Sequence, residues 1–419
     1  MRNLLAKRFL SRFAAFGMTK KFSMIYLDYS ATTPLDREVA KKMQPYFSDI
    51  FANPASIHSL GQRALKAVDD ARYSIAAALH VSGNEIIFTS GATEANNLAI
   101  KGIVEEYGHA KSHIITSTIE HDSILEPCNY LKKRGAAITS IGVDSKGLLK
   151  PEAIIAAIRP ETVLISIGYV NSEVGTVQPI KKIGRILKNY NERMYKTWLN
   201  TSPRKRGSKP RHVYLHTDAT QAANFFDCRP EFLHCDLLSL SSHKIYGPKG
   251  AGLLYCRSGL PLHAMLHGGH QERNLRSGTL NVPAIVGFGA AFTKALREQA
   301  KNNARISKLR RQLATAIQKL YPKTTINTPF EQASPSHLNI SFMGWDGEAL
   351  LSYLDEQGIA VSTGSACASG SLSASHVLLA MGRSESQARS TLRITVGKLT
   401  AASEIAQLNR ALKNYQQPG

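Results

Sequence analysis

One lysine has neighbours that suit covalent chemistry with a carbonyl compound. Lys244 lies in the segment SLSSHKIYGPKGAG (Ser239–Gly252), after serine hydroxyls and a histidine and before a glycine-rich turn. A lysine that forms a Schiff base needs its amine held against the carbonyl. The neighbouring hydroxyls and imidazole could donate hydrogen bonds to a phosphate. Because most lysines are solvated surface residues, the segment indicates catalysis only if the chain also supplies what a lysine-bound cofactor needs.

Further candidates follow other predicted strands. After EIIFTS, the turn GATEANN opens a helix at Thr93, and the free N–H groups of a helix N-terminus suit a phosphate. After HIITS comes His121, which could stack on an aromatic ring and move protons near neutral pH. An ordinary capped helix and a structural histidine are the alternative interpretations of these two features.

Two more strand ends carry polar groups. Asn171 begins the turn NSEVG, and Asp218 ends the apolar run VYLHT. An acid flanked by an apolar strand is costly unless it meets a cation, and a protonated pyridine nitrogen would be such a cation. A phosphate site, a ring stacker, an acid and a Schiff-base lysine at successive strand ends meet the requirement for pyridoxal phosphate.

A thiol and an arginine near the C-terminus suggest the reaction. Cys367 is the single thiol in STGSACASGSLSAS (Ser362–Ser375), whose small residues predict a pliable segment that could carry the thiol into a site. Arg393, in STLRITVG, could pair bidentately with a substrate carboxylate. A linker with an incidental cysteine and a surface arginine are the alternatives.

The elements that would position these residues alternate between strand and helix. Apolar periodicity predicts a helix over Arg63–Leu79, and several short β-branched runs are typical of strands covered on both faces. The predicted strands are Glu85–Ser90, His113–Ser117, Ala137–Val143, Val163–Val170, Val213–Asp218, Leu237–Ser241 and Gly252–Cys256. This order favours an α/β fold with a largely parallel sheet, in which ligands bind beyond the carboxyl ends of the strands.

The remaining segments complete the predicted organisation. Residues 189–212 lack periodicity and are predicted to be a basic loop. From about residue 290 a long helix (Ala291–Leu320) and a mixture of shorter helices and strands predict a smaller α+β domain. We therefore expect a basic extension over residues 1–24, a large domain over 25–285 to which the N-terminal segment contributes only in part, and a small domain over 286–419.

Charge and composition limit the classes of function. The chain of 419 residues has a net charge of +21. Residues 1–24 carry six Lys/Arg and no acid, and residues 188–212 carry eight Lys/Arg and one Glu. Because the excess lies in these appendages, a solvated basic loop is favoured over RNA or acidic-partner binding. No apolar run approaches the roughly 20 residues of a membrane span, and five cysteines without a CxxC motif favour a reducing compartment.

Several ordered motifs resemble the cysteine desulfurases among the fold-type I pyridoxal-phosphate enzymes, in the branch that serves iron–sulfur cluster assembly and nitrogenase maturation. The resemblance runs from Tyr26 to Thr400, outside the tail and residues 189–212. The matching motifs are YLDYSATTP, ANPASIH, TSGATEANNLAIKG, EHDSI, VNSEVGTVQPI, HTDATQA, SSHKIYGPKG, RSGTLNVP, STGSACASGSL and TLRITVGKLT. The cysteine segment matches the subgroup with the longer S-x-G-S-A-C loop.

The resemblance implies a role for each candidate residue. Lys244 would hold pyridoxal 5′-phosphate and remove the substrate's α-proton, His121 would stack on the ring, Asp218 would pair with the ring nitrogen and Gln221 would contact the ring hydroxyl. The phosphate would be bound by Ala92, Thr93, Ser241 and His243, with Thr279 reaching across from the partner subunit of a homodimer. Asn171 and Arg393 would hold the carboxylate of the substrate L-cysteine, and Cys367 would take its sulfur as a persulfide and release alanine.

The resemblance also leaves alternatives. The chain lacks the C-terminal tail with which housekeeping members dock an iron–sulfur scaffold, so the docking mode of a sulfur acceptor stays open. Cys367 could transiently ligate an iron–sulfur cluster, and no resident metal, membrane or nucleic-acid partner is expected. We expect a cytoplasmic protein, or a mitochondrial one if residues 1–24 are a transit peptide, although Met18 or Met24 could also start the chain. Selenocysteine lyases, aminotransferases and RNA-associated factors are the rival classes.

Overall fold

The computed structural model describes residues 24–202, 207–363 and 374–415. The predicted basic extension, apart from Met24, and Cys367 lie outside these residues. The strands are β1 (Ile25–Tyr26), β2 (Ile86–Thr89), β3 (His113–Ser117), β4 (Ala137–Ile141), β5 (Thr162–Gly168), β6 (Tyr214–Asp218), β7 (Leu237–Ser241), β8 (Gly252–Cys256), β9 (Thr325–Ile326), β10 (His337–Ser341), β11 (Ile359–Ala360) and β12 (Thr391–Thr395).

The α-helices connect and cover these strands. They are α1 (Arg37–Met43), α2 (Pro45–Ser48), α3 (Ser59–Leu79), α4 (Ala92–Tyr107), α5 (Asp122–Lys133), α6 (Pro151–Ala156), α7 (Ile180–Asn200), α8 (Pro230–Leu233), α9 (Val282–Leu320), α10 (Gly347–Glu356), α11 (His376–Ala380), α12 (Glu385–Arg389) and α13 (Ala402–Asn414). Short 3-10 turns include Ser242–Lys244 and Gln271–Asn274.

A seven-stranded sheet forms the centre of the large domain. Its strand order is β2-β8-β7-β6-β5-β3-β4, and β8 runs antiparallel to both of its neighbours while the other pairs are parallel. Ile86 and Phe88 of β2 pack into one hydrophobic cluster, and Ile87 packs into another on the opposite face. This two-sided burial explains why the strands are continuous apolar runs. The α/β fold with a mostly parallel sheet is thereby confirmed.

A second hydrophobic core lies in the C-terminal half of the chain. It contains Leu338 and Ile340 of β10 and Ile394 of β12. Antiparallel strands β12, β10 and β9 form one small sheet, and β1 pairs in parallel with β11. The N-terminal strand therefore contributes Ile25 and Leu27 to the C-terminal core although it precedes the large sheet in the chain.

Helix α9 spans both cores. It runs for 39 residues from Val282 to Leu320, so it begins nine residues before the predicted start. Phe288 and Phe292 are buried in the large core, whereas Ile306 and Leu313 are buried in the second core. A division near residue 285 therefore falls inside a continuous helix, and the two-domain description remains a proposal in which α9 is shared.

The basic insertion differs from its prediction. Helix α7 continues to Asn200, so the interpretation of residues 189–212 as a loop is wrong for the first half of that range. From Glu192 to Asn200 almost every residue is exposed, and the segment then returns so that Trp198 Nε1 donates to the Gly207 carbonyl at 2.8 Å. A solvated helix needs no apolar stripe, which is why the periodicity did not indicate it.

No helix within residues 24–202, 207–363 and 374–415 is both long and apolar enough to cross a bilayer.

A buried ion pair ties α3 to the segment after β8. Arg72 Nη2 lies 2.5 Å from Glu272 Oε1, and Glu272 Oε2 also accepts a hydrogen bond from the Phe88 amide at 2.7 Å. Arg72→Met should lower the free energy of unfolding by about 3 kcal/mol, because it leaves a buried carboxylate without its cation. Chemical denaturation measures the loss. Lys66→Met on the same helix breaks an exposed pair with Asp70 and should leave stability unchanged; equal effects of the two substitutions would contradict the argument.

Candidate active site

The candidate active site is a cavity of about 570 Å³ at the carboxyl ends of β3, β5, β6 and β7. Parallel strands bring their carboxyl ends to the same edge of a sheet, and ligands bind there in open α/β folds. Ten of the twelve residues that the sequence singled out line this cavity, namely Ala92, Thr93, His121, Asn171, Asp218, Gln221, Ser241, His243, Lys244 and Arg393.

Lys244 enters the cavity from the 3-10 turn that follows β7. Its Nζ donates to the backbone carbonyls of Ser30 and Ala31, the latter at 2.8 Å. The same Ser30 carbonyl accepts a hydrogen bond from Gln221 Nε2 at 2.9 Å. The residues just after β1 therefore hold two candidate cofactor contacts in place.

A chain of hydrogen bonds links Asp218 to His121. Asn96 Nδ2 donates to Asp218 Oδ2 at 2.7 Å and to Ser123 Oγ at 2.8 Å. Ser123 Oγ and the Ser123 amide both lie within 3.0 Å of His121 Nδ1. Because Nδ1 accepts these bonds, the neutral ring carries its proton on Nε2. Asp218 Oδ1 accepts from the Thr220 amide at 2.9 Å, so the carboxylate is also held from its own turn.

The turn before α4 forms the candidate phosphate site. Gly91 precedes the helix, and Gly252 of β8 packs directly against it, where a Cβ would lie 2.6 Å from Gly91 Cα. The exposed N–H groups of the first helical turn face the cavity that Ser241 and His243 also line. His243 Nδ1 lies 3.0 Å from Thr32 Oγ1. Burial, reinforced by the charge of Lys244, lowers the pKa of His243 to about 4, so its imidazole is neutral at neutral pH.

Arg393 and Asn171 lie at the side of the cavity. Arg393 is 3% exposed, and its Nη2 lies 2.9 Å from Asp28 Oδ1. Its backbone pairs with that of Ser362, with both N–H groups donating. The Asn171 Oδ1 accepts from the Glu173 and Val174 amides, each at 2.9 Å. These contacts fix both side chains at the cavity wall.

A buried carboxyl group beside the cavity was not anticipated. Glu120 is 5% exposed, its Oε1 accepts from Ser117 Oγ at 2.6 Å and its Oε2 accepts from the Gly168 amide at 2.9 Å. Burial raises the pKa of Glu120 to about 7, and the charge of Asp218 adds to the rise. The carboxyl is therefore partly protonated near neutral pH.

Two predicted residues are not among the described residues that line the cavity. Thr279 does not belong to the described lining and lies on an exposed stretch before α9. Cys367 lies outside the described residues, so its role stays a prediction. Asp28, Asn96 and Glu120 were missed as functional candidates, although all three stand in quoted motifs: YLDYSATTP, TSGATEANN and EHDSI. Their presence as polar residues inside these motifs is the signal by which they could have been found in the sequence.

Comparison with known proteins identifies the family. The family model described as aminotransferase class V matches residues 25–195 and 205–408, and the chain belongs to this family of enzymes. It is 41% identical over 381 residues, 91% of each chain, to the cysteine desulfurase IscS of Dictyoglomus turgidum. It is 43% identical to the cysteine desulfurase IscS of Neisseria gonorrhoeae, over 91% of this chain and 89% of the other. Within the class-V family, the chain is a cysteine desulfurase.

Solved structures agree with this assignment. A NifS-like protein superposes with a TM-score of 0.84 at 35% identity, covering 93% of this chain and 98% of the other. A structure of SspA in complex with cysteine superposes with a TM-score of 0.74 at 35% identity, covering 90% of this chain and all of the other. The prediction that the chain resembles cysteine desulfurases is confirmed, and its rival classes are not favoured.

The raised pKa of Glu120 predicts a pH dependence of stability. An unfolded Glu titrates at its ordinary value of 4.5 and the folded one at about 7, so folding takes up a proton between these values. Stability should therefore fall as pH rises from 4.5 to 7. Glu120→Gln should flatten this fall, measured by urea unfolding at pH 5 and 7. The control Glu126→Gln, at an exposed position, should keep the wild-type dependence of stability on pH. If the Glu120 carboxyl were ionised from pH 5 to 7, Glu120→Gln would keep that dependence too, which would contradict the prediction.

Proposed function

We propose that this cysteine desulfurase uses pyridoxal 5′-phosphate and delivers the sulfur of L-cysteine to Cys367 as a persulfide. The observation that carries the proposal is the common cavity of Lys244, Asp218 and the N-terminus of α4. A cavity of about 570 Å³ is within the ordinary size range of cofactor sites. Its donors also suit the cofactor, with N–H groups for a phosphate, an amine for an aldehyde and a carboxylate for a pyridinium.

The predicted residues that line the cavity would divide the work of binding among them. Asp218, held by Asn96 and Thr220, would keep a proton on the ring nitrogen. When bound, the cofactor would act as the electron sink for the bonds broken at the substrate. Arg393 and Asn171 would hold the substrate carboxylate beside it. His121, whose Nδ1 is occupied, would face the ring in one fixed orientation.

The proton and sulfur steps fall to two residues. The Lys244 amine, once released from the cofactor, would remove the proton from the substrate Cα. The Cys367 thiolate would then attack the substrate sulfur: a sulfur–sulfur bond forms, the carbon–sulfur bond breaks, and the carbon skeleton leaves as alanine after protonation. The sulfur so held would pass to an acceptor protein such as an iron–sulfur scaffold.

Substitutions of Lys244 and Cys367 test cofactor binding and sulfur transfer separately. Lys244→Ala should abolish turnover and the yellow colour of bound cofactor, because the amine is lost. Cys367→Ser should keep the colour and lose persulfide formation, measured as alanine, sulfide and protein-bound sulfur from L-cysteine. Cys256→Ser, at a buried β8 position, serves as the matched thiol control and should keep full activity. Undiminished persulfide formation by Cys367→Ser would contradict the assignment of the thiol.

Nucleic-acid binding is not part of the proposal. A groove of about 900 Å³ lies beside the insertion, at the edge of the sheet where β6 begins. Four Lys/Arg and four Asp/Glu line its described part, so their charges balance: Lys188, Lys209, Arg211, Arg257, Glu85, Glu192, Glu231 and Asp236. A polyanion site needs a clear excess of positive charge.

We also propose that the protein is located in the cytoplasm.

We further propose that the protein is a homodimer. Ile57 is 95% exposed and Phe51 is 68% exposed, and burying such large apolar side chains against a second copy of the chain would be favourable. Thr279, outside its own cavity, would then serve the site of the partner. Ile57→Glu should shift the protein toward a monomer, measured by light scattering, and weaken cofactor retention. The control Leu399→Glu, at another exposed apolar position, should remain dimeric. An unchanged mass for Ile57→Glu would contradict the proposal that Ile57 lies in the dimer interface.

A further inference from the structure

A second buried carboxylate has no part in the proposed chemistry. Glu173 is 4% exposed and lies in the turn after β5, two residues beyond Asn171. Its Oε2 accepts a hydrogen bond from Ser375 Oγ at 2.7 Å. Within the described residues its Oε1 has no hydrogen-bond partner. A buried carboxylate is costly, so a single bond to one serine hydroxyl requires an explanation.

Ser375 occupies a particular place in the chain. It is 4% exposed and precedes α11, where its Oγ also accepts from the Leu378 amide at 3.2 Å. It lies eight residues after Cys367. On the other side of the thiol, Ser362 is fixed by two backbone hydrogen bonds to Arg393. The two described ends of the cysteine-bearing stretch are therefore held by different parts of the fold.

The hydrogen bond from Ser375 to Glu173 reaches the large domain. Glu173 belongs to the turn that also carries Asn171, and this turn follows a strand of the central sheet. Next to it, His376 Nε2 lies 3.1 Å from the Glu120 carbonyl. Val377 and Leu378 of α11 pack on Ile119 and Val174 of the large domain. The start of α11 is thus docked on the loops that border the cavity, with Glu173 as its buried polar contact.

Charge explains why Glu173 can serve as an anchor. Burial raises the pKa of Glu173, while the hydrogen bond from Ser375 and the charges of Arg393 and His376 favour the ionised form. A hydroxyl that donates to a carboxylate makes a stronger and more directional bond than one that donates to a neutral acceptor. The geometry therefore ties the start of α11 to a fixed point beside Arg393.

We propose that Glu173 is a positioning residue for sulfur transfer, which sets the location of the C-terminal end of the cysteine-bearing stretch through Ser375. The inference rests on the proposed role of Cys367. When the residues on both sides of a reacting group are held, that group meets its partner at a higher effective concentration than when one side is released. Loss of the anchor should therefore slow persulfide formation and leave the earlier cofactor steps intact.

The test separates these steps in the cofactor-loaded enzyme. Single-turnover mixing with L-cysteine gives the spectral change of the cofactor, and alkylation with mass spectrometry gives the persulfide on Cys367. Glu173→Ala should slow persulfide formation by about 10-fold and leave the spectral change and its dependence on cysteine concentration unaltered. Glu173→Gln retains an acceptor for Ser375 and should recover most of the rate.

Ser375→Ala removes the donor of the same hydrogen bond, and it provides the test if Glu173→Ala fails to fold. It should match Glu173→Ala, and the double variant should be no slower than either single one. Ser384→Ala removes an equivalent cap from α12 that has no carboxylate partner, and it should keep the wild-type rate. Normal persulfide rates in both single variants, or equal losses of the spectral change and the persulfide, would overturn the inference. Persulfide formation that survives Cys367→Ser would instead refute the proposed thiol.

Discussion

The site depends on how the amine of Lys244 is held inside the cavity. The Lys244 Nζ donates to the carbonyls of Ser30 and Ala31, which are partial charges in fixed backbone. The backbone can offer these carbonyls because the chain leaves the strand pairing of β1 at this point. The same short segment also supplies Asp28 to Arg393 and Thr32 to His243. A few residues near the start of the described chain thereby organise groups from both halves of the molecule.

Three carboxyl groups near the cavity are stabilised in three different ways. Asp218 accepts hydrogen bonds from Asn96 and from a backbone amide, which fix the orientation of both carboxylate oxygens. Glu120 also has hydrogen-bond donors, but its burial raises its pKa to about 7 and keeps it partly protonated. Glu173 has one hydroxyl donor and the field of Arg393. Similar side chains therefore serve as a charge, as a titrating group and as an anchor, and the surroundings decide which.

The sequence was sufficient for the large sheet and for most of the cavity. His121, Asp218 and Lys244 each follow a short apolar strand, and parallel strands bring such positions together whatever lies between them. Other contacts at the site join residues far apart in the chain and left no local pattern: Asp28 meets Arg393 across 365 residues, and the Ser30 carbonyl accepts from Lys244 across 214 residues. The last turns of helix α7 were predicted to be a loop because they are solvated and carry no apolar stripe. Apolar periodicity in a sequence indicates which face of an element is buried. It does not indicate a helix whose surface is solvated, or a backbone carbonyl whose hydrogen-bond partner lies far away in the chain.

Arg393 connects substrate recognition with the thiol. Its guanidinium contacts Asp28 and lines the cavity, and its backbone pairs with Ser362 at the start of the cysteine-bearing stretch. Its charge also favours the ionised form of Glu173, which accepts the hydrogen bond of Ser375 at the end of that stretch. A substrate carboxylate that binds this guanidinium would add a second anion to it. The field that Arg393 exerts on Glu173 would then weaken, and burial would count for more in the pKa of Glu173. The residue proposed to recognise the amino acid is thus electrostatically linked to the anchor of the segment that takes its sulfur.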